Sequence, residues 1–272
     1  MSMKNTILII NYNHSIDCIN KSFLDEIYSP YFKKVIHYSD NPETHDGDIN
    51  FMHTHQGWFS YGIFPHFYEK YSELLEDSDG VLYTHDDCII NINILDQIDI
   101  SKTMYDQAAR KVIVGEFVTT GEFASQAFGA ALGEEWVWWK SQVGEANLMK
   151  FWRSEKWSKY TPHGFVGYSD FLYLPKTLFN KKFVTILSDL HKHEVFLEIA
   201  LPIAVNYINN DISMMDSHKY NTINSKILWG DRSIVHQNLF KWLTEDNITV
   251  VHPVKLRSEP ALKQILRDAF NI

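Results

Sequence analysis

Apolar runs that end in polar residues alternate with amphipathic segments over the N-terminal third of the chain. The runs at 6–13, 34–39 and 81–85 predict buried β-strands, because an unbroken apolar run bounded by polar residues is typical of a parallel sheet. The segments 15–27 and 62–75 have apolar residues at helical spacing and predict helices. Strands and helices that alternate in this way predict an α/β fold in which helices flank a mixed, mostly parallel sheet.

The remainder of the chain continues this pattern less regularly. Strands are predicted at 111–114 and 248–251, a strand with a turn at 165–175, and helices at 195–207 and 262–270. The chain has no internal repeat and no clear linker, and its length suits one large α/β domain with a sizeable core. We therefore expect a single domain over residues 1–272.

Composition and charge narrow the classes of function. The 272 residues are 45% apolar and 22% charged, which excludes global disorder. The net charge is −9 and no dense Lys/Arg cluster occurs, so nucleic acid is not an expected partner. The two cysteines make no disulfide framework, and no apolar run is long enough to span a bilayer. These features predict a cytoplasmic protein.

Polar side chains follow three of the predicted parallel strands at the points where the strands end. Asn13, Ser39 and the pair Asp86 and Asp87 occupy these positions. Because the carboxyl ends of parallel strands meet at one edge of a sheet, we expect these side chains to form a ligand site there. Adjacent carboxylates are suitable ligands for Mn²⁺ or Mg²⁺, although an Asp-Asp turn in solvent is an equally good interpretation of the pair alone.

The segment 80–87 resembles the DxD-type metal motif of GT-A fold glycosyltransferases, in the xDD variant of exostosin-like enzymes. The resemblance implies that Asp87 binds Mn²⁺ or Mg²⁺ and that Asp86 and His85 lie on the donor side. His85 occupies the first position of the motif, where these families have Asp, so its role stays open. The segment 8–13 is similar to the first nucleotide-binding strand of these families. This similarity implies that Asn11, Tyr12 and Asn13 help to bind the donor. Ser39 is assigned to the donor side because it ends the neighbouring predicted strand at the same edge of the sheet.

Two glutamates are candidates for a catalytic base. The segment 195–202 resembles the acidic acceptor-side helix of GT-A enzymes, which implies that Glu198 takes the proton from the acceptor hydroxyl. Glu194 is expected one helical turn earlier on the same face and is the competing candidate. Two exposed glutamates on a surface helix are the structural alternative.

A late histidine and a nearby lysine complete the predicted donor site. His252 follows a strand and precedes Pro253, and it resembles the late metal-ligating histidine of several GT-A families. Lys255, with Arg257 close by, is expected to steady the leaving diphosphate. A purely structural histidine remains an alternative at this position.

The acceptor side is less well defined. The segment 164–171 resembles an acceptor-site loop, which implies that Asp170 hydrogen-bonds a sugar hydroxyl, although it could equally cap a turn. The Trp-rich segment 117–160 is predicted to be loop plus helix over the site. Within it, Trp138 and Trp139 are expected either to stack on the acceptor or to cover the core.

Taken together, these motifs imply one GT-A domain, with a nucleotide-sugar-binding half at 1–100 and an acceptor-binding half at 101–272. The implied reaction moves a sugar from a nucleoside-diphosphate donor, such as UDP-xylose or another UDP-sugar, to a glycan hydroxyl. Inversion at the anomeric carbon is predicted, and retention stays open. The chain also resembles the chlorovirus enzymes that build capsid glycans, one of them a xylosyltransferase, which would place it in host cytoplasm.

Two other classes of function stay open at this stage. A zinc-dependent hydrolase could use the histidines at 53, 55, 191 and 193, since imidazole is a good zinc ligand. A non-catalytic carbohydrate-binding protein would account for the abundance of tryptophan without any metal. The sequence leaves the oligomeric state undetermined.

Overall fold

A computed structural model describes most of the chain. It covers residues 3–13, 18–40, 49–55, 57–105, 110–112, 164–166, 169–210, 216–228 and 232–272. The predicted loop and helix at 117–160, with Trp138 and Trp139, lie outside the described residues. All structural statements below concern the described part of the chain.

A five-stranded sheet forms the centre of the fold. Its strands are β1 (Thr6–Tyr12), β2 (Lys34–Ser39), β3 (Ile49–Phe51), β4 (Gly80–His85) and β8 (Phe171–Pro175). The strand order is β3-β2-β1-β4-β8, with β1 to β4 parallel and β8 antiparallel to β4. The predicted α/β fold with a mixed, mostly parallel sheet is therefore confirmed.

Helices cover both faces of this sheet because the central strands are apolar on both faces. Ile7 and Ile9 of β1 belong to one core, and Leu8 and Ile10 to the other. This alternation follows from the two-residue period of a strand. The first core packs against α2 (Ile63–Lys70), α3 (Ser72–Glu76), α4 (Lys181–Lys192) and α5 (Leu197–Asn209), and the second against α1 (Cys18–Tyr28), α6 (Arg232–Thr244) and α7 (Ala261–Phe270).

Smaller sheets lie outside the central sheet in the described part of the chain. One of them joins β5 (Ile89–Ile90), β10 (Val250–His252) and β9 (Ser225–Ile227), in that order. A two-stranded sheet pairs β6 (Arg110–Val112) with β7 (Gly164–Val166), and short 3₁₀ helices occur at Met3–Asn5, Ser60–Gly62 and Ile92–Gln97. Since β5 directly follows the Asp86–Asp87 turn and pairs with β10, the late segment of the chain is brought to the carboxyl end of β4.

The helix predicted at 62–75 is two helices. Tyr71 has the non-helical dihedral angles φ −123° and ψ 27°, and it separates α2 from α3. The helix predicted at 195–207 begins at Leu197 and continues through Pro202. None of the described helices combines the length and apolar character that crossing a membrane requires.

Candidate active site

The carboxylate pair lies at the carboxyl end of β4 and is held there by backbone hydrogen bonds. The backbone N–H of Asp86 donates to the carbonyl of Asn11 at 3.0 Å. The carbonyl of Asp87 accepts from the N–H of Val254 at 2.7 Å. The turn is therefore fixed between the end of β1 and the segment after β10, and both carboxylates face the same cavity.

Two cationic groups from the C-terminal segment meet at Asp87. Nε2 of His252 lies 3.5 Å from Oδ2 of Asp87, and Nζ of Lys255 contacts the same oxygen. Burial raises the pKa of Asp87, but the hydrogen bond from His252 and the charges of His252 and Lys255 outweigh it, so the pKa is lowered overall. Asp87 is therefore ionised at neutral pH.

The pKa values of Asp86 and His252, which lie beside Asp87, are raised instead. Burial and the charge of Asp87 raise the pKa of Asp86 to about 7. For His252, burial lowers the pKa, but Asp170 and Asp87 raise it by more, so the net shift is upward. Two adjacent carboxyls with oppositely shifted pKa values are typical of functional sites, because ordinary surface pairs are screened by solvent.

His85, which the family pattern left unassigned, is a buried member of a hydrogen-bonded chain. The amide of Asn11 donates to Oδ1 of Asn13 at 2.9 Å, which directs the amide nitrogen of Asn13 to Nδ1 of His85 at 3.0 Å. Nε2 of His85 lies 2.6 Å from the hydroxyl of Tyr83, which donates to Ser60. Burial lowers the pKa of His85, so the ring is neutral, accepts at Nδ1 and donates at Nε2.

Asp170 lies between the two histidines. It immediately precedes β8, and its carbonyl accepts from the backbone N–H of His85. Its Oδ1 is 3.4 Å from Nδ1 of His85 and its Oδ2 is 3.9 Å from Nδ1 of His252. Oδ2 is buried and accepts no hydrogen bond within the described residues. A buried carboxylate oxygen of this kind calls for a ligand or water partner.

The two candidate bases have different surroundings. Glu198 lies in the first turn of α5, is 7% exposed, and has a pKa raised well above its usual value by burial and then by the charge of Asp170. Glu194 is exposed and lies between α4 and α5 in a left-handed conformation, with φ 49°. The prediction that Glu194 precedes Glu198 on one helical face is therefore wrong, because a left-handed residue here separates the two helices.

A cavity of about 410 Å³ opens beside the carboxylates. Its lining includes the acidic and polar side chains of Asp86, Asp87, Tyr12 and Asn13 and the cationic side chains of Arg232, Lys255 and Arg257. Arg232 is the first residue of α6, and no local motif in the sequence indicated its role. Ser39 is buried at the same edge of the sheet, and it is not among the residues that line the cavity.

The histidines considered for zinc are partly brought together. The rings of His53 and His55 lie 4.1 Å apart, and both His55 and His191 pack on Phe59. Across the described ranges, however, no group of three or more His, Cys, Asp or Glu side chains could hold a metal ion by itself. An all-protein zinc site is therefore not supported by these residues.

No protein-family model matches the sequence, and no curated protein matches it significantly. The geometry of the site is accordingly the basis for assigning a function.

Proposed function

We propose that this protein is a metal-dependent glycosyltransferase of the GT-A type, which moves a sugar from a nucleoside-diphosphate donor, a UDP-sugar in particular, to a glycan hydroxyl. The observation that carries the proposal is the cavity that Asp86 and Asp87 line together with Arg232, Lys255 and Arg257. Its volume of about 410 Å³ suits a nucleotide-sized ligand. Three cations match a diphosphate, and the carboxylates match the divalent ion that accompanies it.

The side chains around Asp87 carry ligand atoms that suit Mn²⁺ or Mg²⁺. Such ions are commonly held by one or two carboxylates, with substrate phosphates supplying further ligands, so a complete protein cage is not needed. Asp87 and the neutral form of His252 would hold the ion, so its binding would release the proton of His252. Asp86 adds oxygen donors beside them. When bound, the ion supplies positive charge to the diphosphate of the donor.

The cationic wall stabilises the leaving group. As the bond between the anomeric carbon and the diphosphate oxygen breaks, negative charge grows on that oxygen. Lys255, Arg232 and Arg257 are placed around the cavity to stabilise this charge through charge-assisted hydrogen bonds. The neutral His85, held by Asn13 and Tyr83, supports the donor side without adding charge.

Glu198 is the proposed base. In its ionised form it accepts the proton of the acceptor hydroxyl while the acceptor oxygen bonds to the anomeric carbon, with inversion. The raised pKa of Glu198 favours its protonated form at rest, so the base form becomes available as the pH rises. Asp170, buried between His85 and His252, is the proposed partner of an acceptor hydroxyl.

The test measures release of nucleoside diphosphate from a panel of UDP- and GDP-sugars, with Mn²⁺ and with EDTA. We expect turnover of at least one donor with Mn²⁺ and a loss of at least about 100-fold with EDTA or with Asp87→Asn. Asp96→Asn, which changes an exposed carboxylate outside the cavity, is the matched control and should behave like the wild type.

Two results would contradict the proposal. Near-normal turnover by Asp87→Asn, with its fold verified by circular dichroism, would show that Asp87 does not bind the metal ion. Binding of a glycan without binding or cleavage of any donor would instead identify a non-catalytic carbohydrate-binding protein.

A further inference from the structure

A second cavity, of about 530 Å³, lies along the first half of β2 and shares no lining residue with the candidate active site. Four separate parts of the chain form it: α1 with the turn that follows, the start of β2, Asn50 of β3, and the end of α2. Its charged and imidazole side chains are Lys21, Asp25, Lys33, Lys34, His37 and Lys70. Four lysines and one carboxylate thus converge in a protein whose net charge is −9.

Most of this positive charge is not neutralised within the cavity. Lys21 pairs with Asp25 at 3.1 Å. Lys70 donates to the neutral side chain of Asn50 at 2.6 Å, and Lys33 donates to the carbonyl of Asp77. The carboxylate of Asp77 is 4.0 Å from Lys33 and 91% exposed, so solvent screens this pair. Cationic side chains therefore outnumber the single carboxylate that lines the cavity.

The floor of the cavity is a sheet edge held in a fixed arrangement. β3 pairs with β2 only from His37 onward, so the segment 34–36 has no partner strand on that side among the described residues. His37 is 3% exposed and is fixed by two contacts, from Nε2 to Asp25 at 2.8 Å and from Nδ1 to the hydroxyl of Tyr12 at 3.2 Å. The wall that carries Lys21 and Asp25 is thereby organised before any ligand binds.

Protection of the sheet edge accounts for only part of this arrangement. Lysines on an edge strand prevent pairing with other strands, and Lys34 is suited to that role. Lys21 belongs to α1 and Lys70 to α2, however, so neither lies on the edge strand. Their convergence around a concave volume is the feature that edge protection does not require.

We infer that this cavity binds a phosphate-bearing small molecule, with Lys21, Lys33, Lys34 and Lys70 as its cationic ligands. Lysine binds phosphate as a point charge, and a volume of about 530 Å³ is within the usual range for small-molecule sites. The site is separate from the proposed donor site and does not depend on the proposed function.

Isothermal titration with inorganic pyrophosphate, in EDTA and at low ionic strength, tests the inference. Lys34→Gln combined with Lys70→Gln removes two exposed cations from the cavity, and Lys181→Gln removes an exposed cation elsewhere. We expect the double variant to weaken pyrophosphate binding by at least about tenfold, because each phosphate contact is charge-assisted. The Lys181→Gln variant should match the wild type.

Two further arms identify the site and the source of the phosphate. Lys255→Gln combined with Arg257→Gln alters only the first cavity and should leave this binding event in place. A second arm measures co-sedimentation with vesicles that contain a phosphatidylinositol phosphate. Co-sedimentation of the wild type, and its loss in the Lys34/Lys70 double variant, would identify a lipid headgroup as the source of the bound phosphate. Equal pyrophosphate affinity in the wild type and the Lys34/Lys70 double variant would overturn the inference.

Discussion

Nε2 of His252 lies 3.5 Å from Oδ2 of Asp87, although the two residues come from opposite halves of the chain. The antiparallel pairing of β5 with β10 brings them together, because β5 follows the Asp86–Asp87 turn directly and β10 ends at His252. The pairing of two short strands therefore determines the candidate metal site.

His252→Gln is expected to raise the Mn²⁺ concentration needed for half-maximal donor turnover by at least about tenfold. Even the loss of a residue that only orients a metal ligand commonly costs about 10- to 100-fold in metal affinity. His236→Gln changes a histidine whose contact, with Glu259, lies on the surface, and it provides the control. A metal titration of turnover measures both variants. An unchanged requirement for Mn²⁺ in the His252→Gln variant would leave that residue with a structural role only.

Arg257→Gln is expected to weaken UDP binding by about tenfold or more, because it removes one charge-assisted contact to phosphate. The matched control is Arg267→Gln, whose guanidinium pairs with Glu26 on the surface. Binding curves at two salt concentrations should show a smaller salt dependence for the Arg257→Gln variant. If both arginine variants bound UDP equally well, the cationic wall would not be the diphosphate site.

Glu198→Gln is expected to change how stability depends on pH. The pKa of Glu198 is raised in the folded protein, so the folded state binds the proton more tightly. The associated stability is fully present below the unfolded pKa of about 4.3 and is lost as the pH rises through the folded value, by up to about 1.4 kcal/mol per pH unit. Urea unfolding at several pH values should show this decline in the wild type.

The Glu198→Gln variant should show a smaller decline, because Asp86, whose pKa is also raised, still contributes to it. The same variant should lose glycosyl transfer. Glu245→Gln, at an exposed position, is expected to keep the wild-type pH dependence. Turnover of the wild type should rise with pH as Glu198 ionises. A Glu198→Gln variant with the same pH dependence as the wild type would show that Glu198 is not the group that carries the buried proton.

Tyr83→Phe is expected to lower the free energy of unfolding by about 1–3 kcal/mol, since it leaves a buried donor unsatisfied. The Tyr83 hydroxyl is fully buried and lies 2.6 Å from Nε2 of His85. Ser60 lies 3.3 Å from the same nitrogen and can partly replace the lost contact, which favours the lower end of the range. Urea unfolding measures the change, and a stability equal to that of the wild type would contradict the proposed hydrogen-bonded chain.

Gly57→Ala is expected to disturb the donor side through Asn13. Gly57 has φ 92°, a conformation that strains other residues, and an added methyl group would lie 2.6 Å from Cγ of Asn13. The strain should cost about 1–3 kcal/mol of stability. A double-mutant cycle with Asn13→Ala, measured by urea unfolding, separates the backbone strain at Gly57 from the clash with Asn13. The clash disappears when Asn13 is truncated, whereas the strain remains. Strictly additive costs would show that Gly57 acts through its backbone alone.

Much of the central sheet was predictable from local pattern. The runs at 6–13, 34–39 and 81–85 correspond to β1, β2 and β4 because strands buried on both faces are unbroken apolar runs. Asp86 and Asp87 indicated a site because buried strands rarely carry charged side chains unless these are paired or bind a metal. The break at Tyr71 and the end of α4 before Glu194 were not predictable, since tertiary packing decides where a marginal helix ends.

The sequence by itself determined the α/β class, the central strands and the carboxylates at a strand end, because each depends on residues close together in the chain. Only the tertiary structure decided that Lys255 contacts Asp87, that Arg232 faces the same cavity, and that Asp170 lies between two histidines. These contacts depend on sheet order and on the β5–β10 pairing. Composition and periodicity carry no information about which distant segments meet.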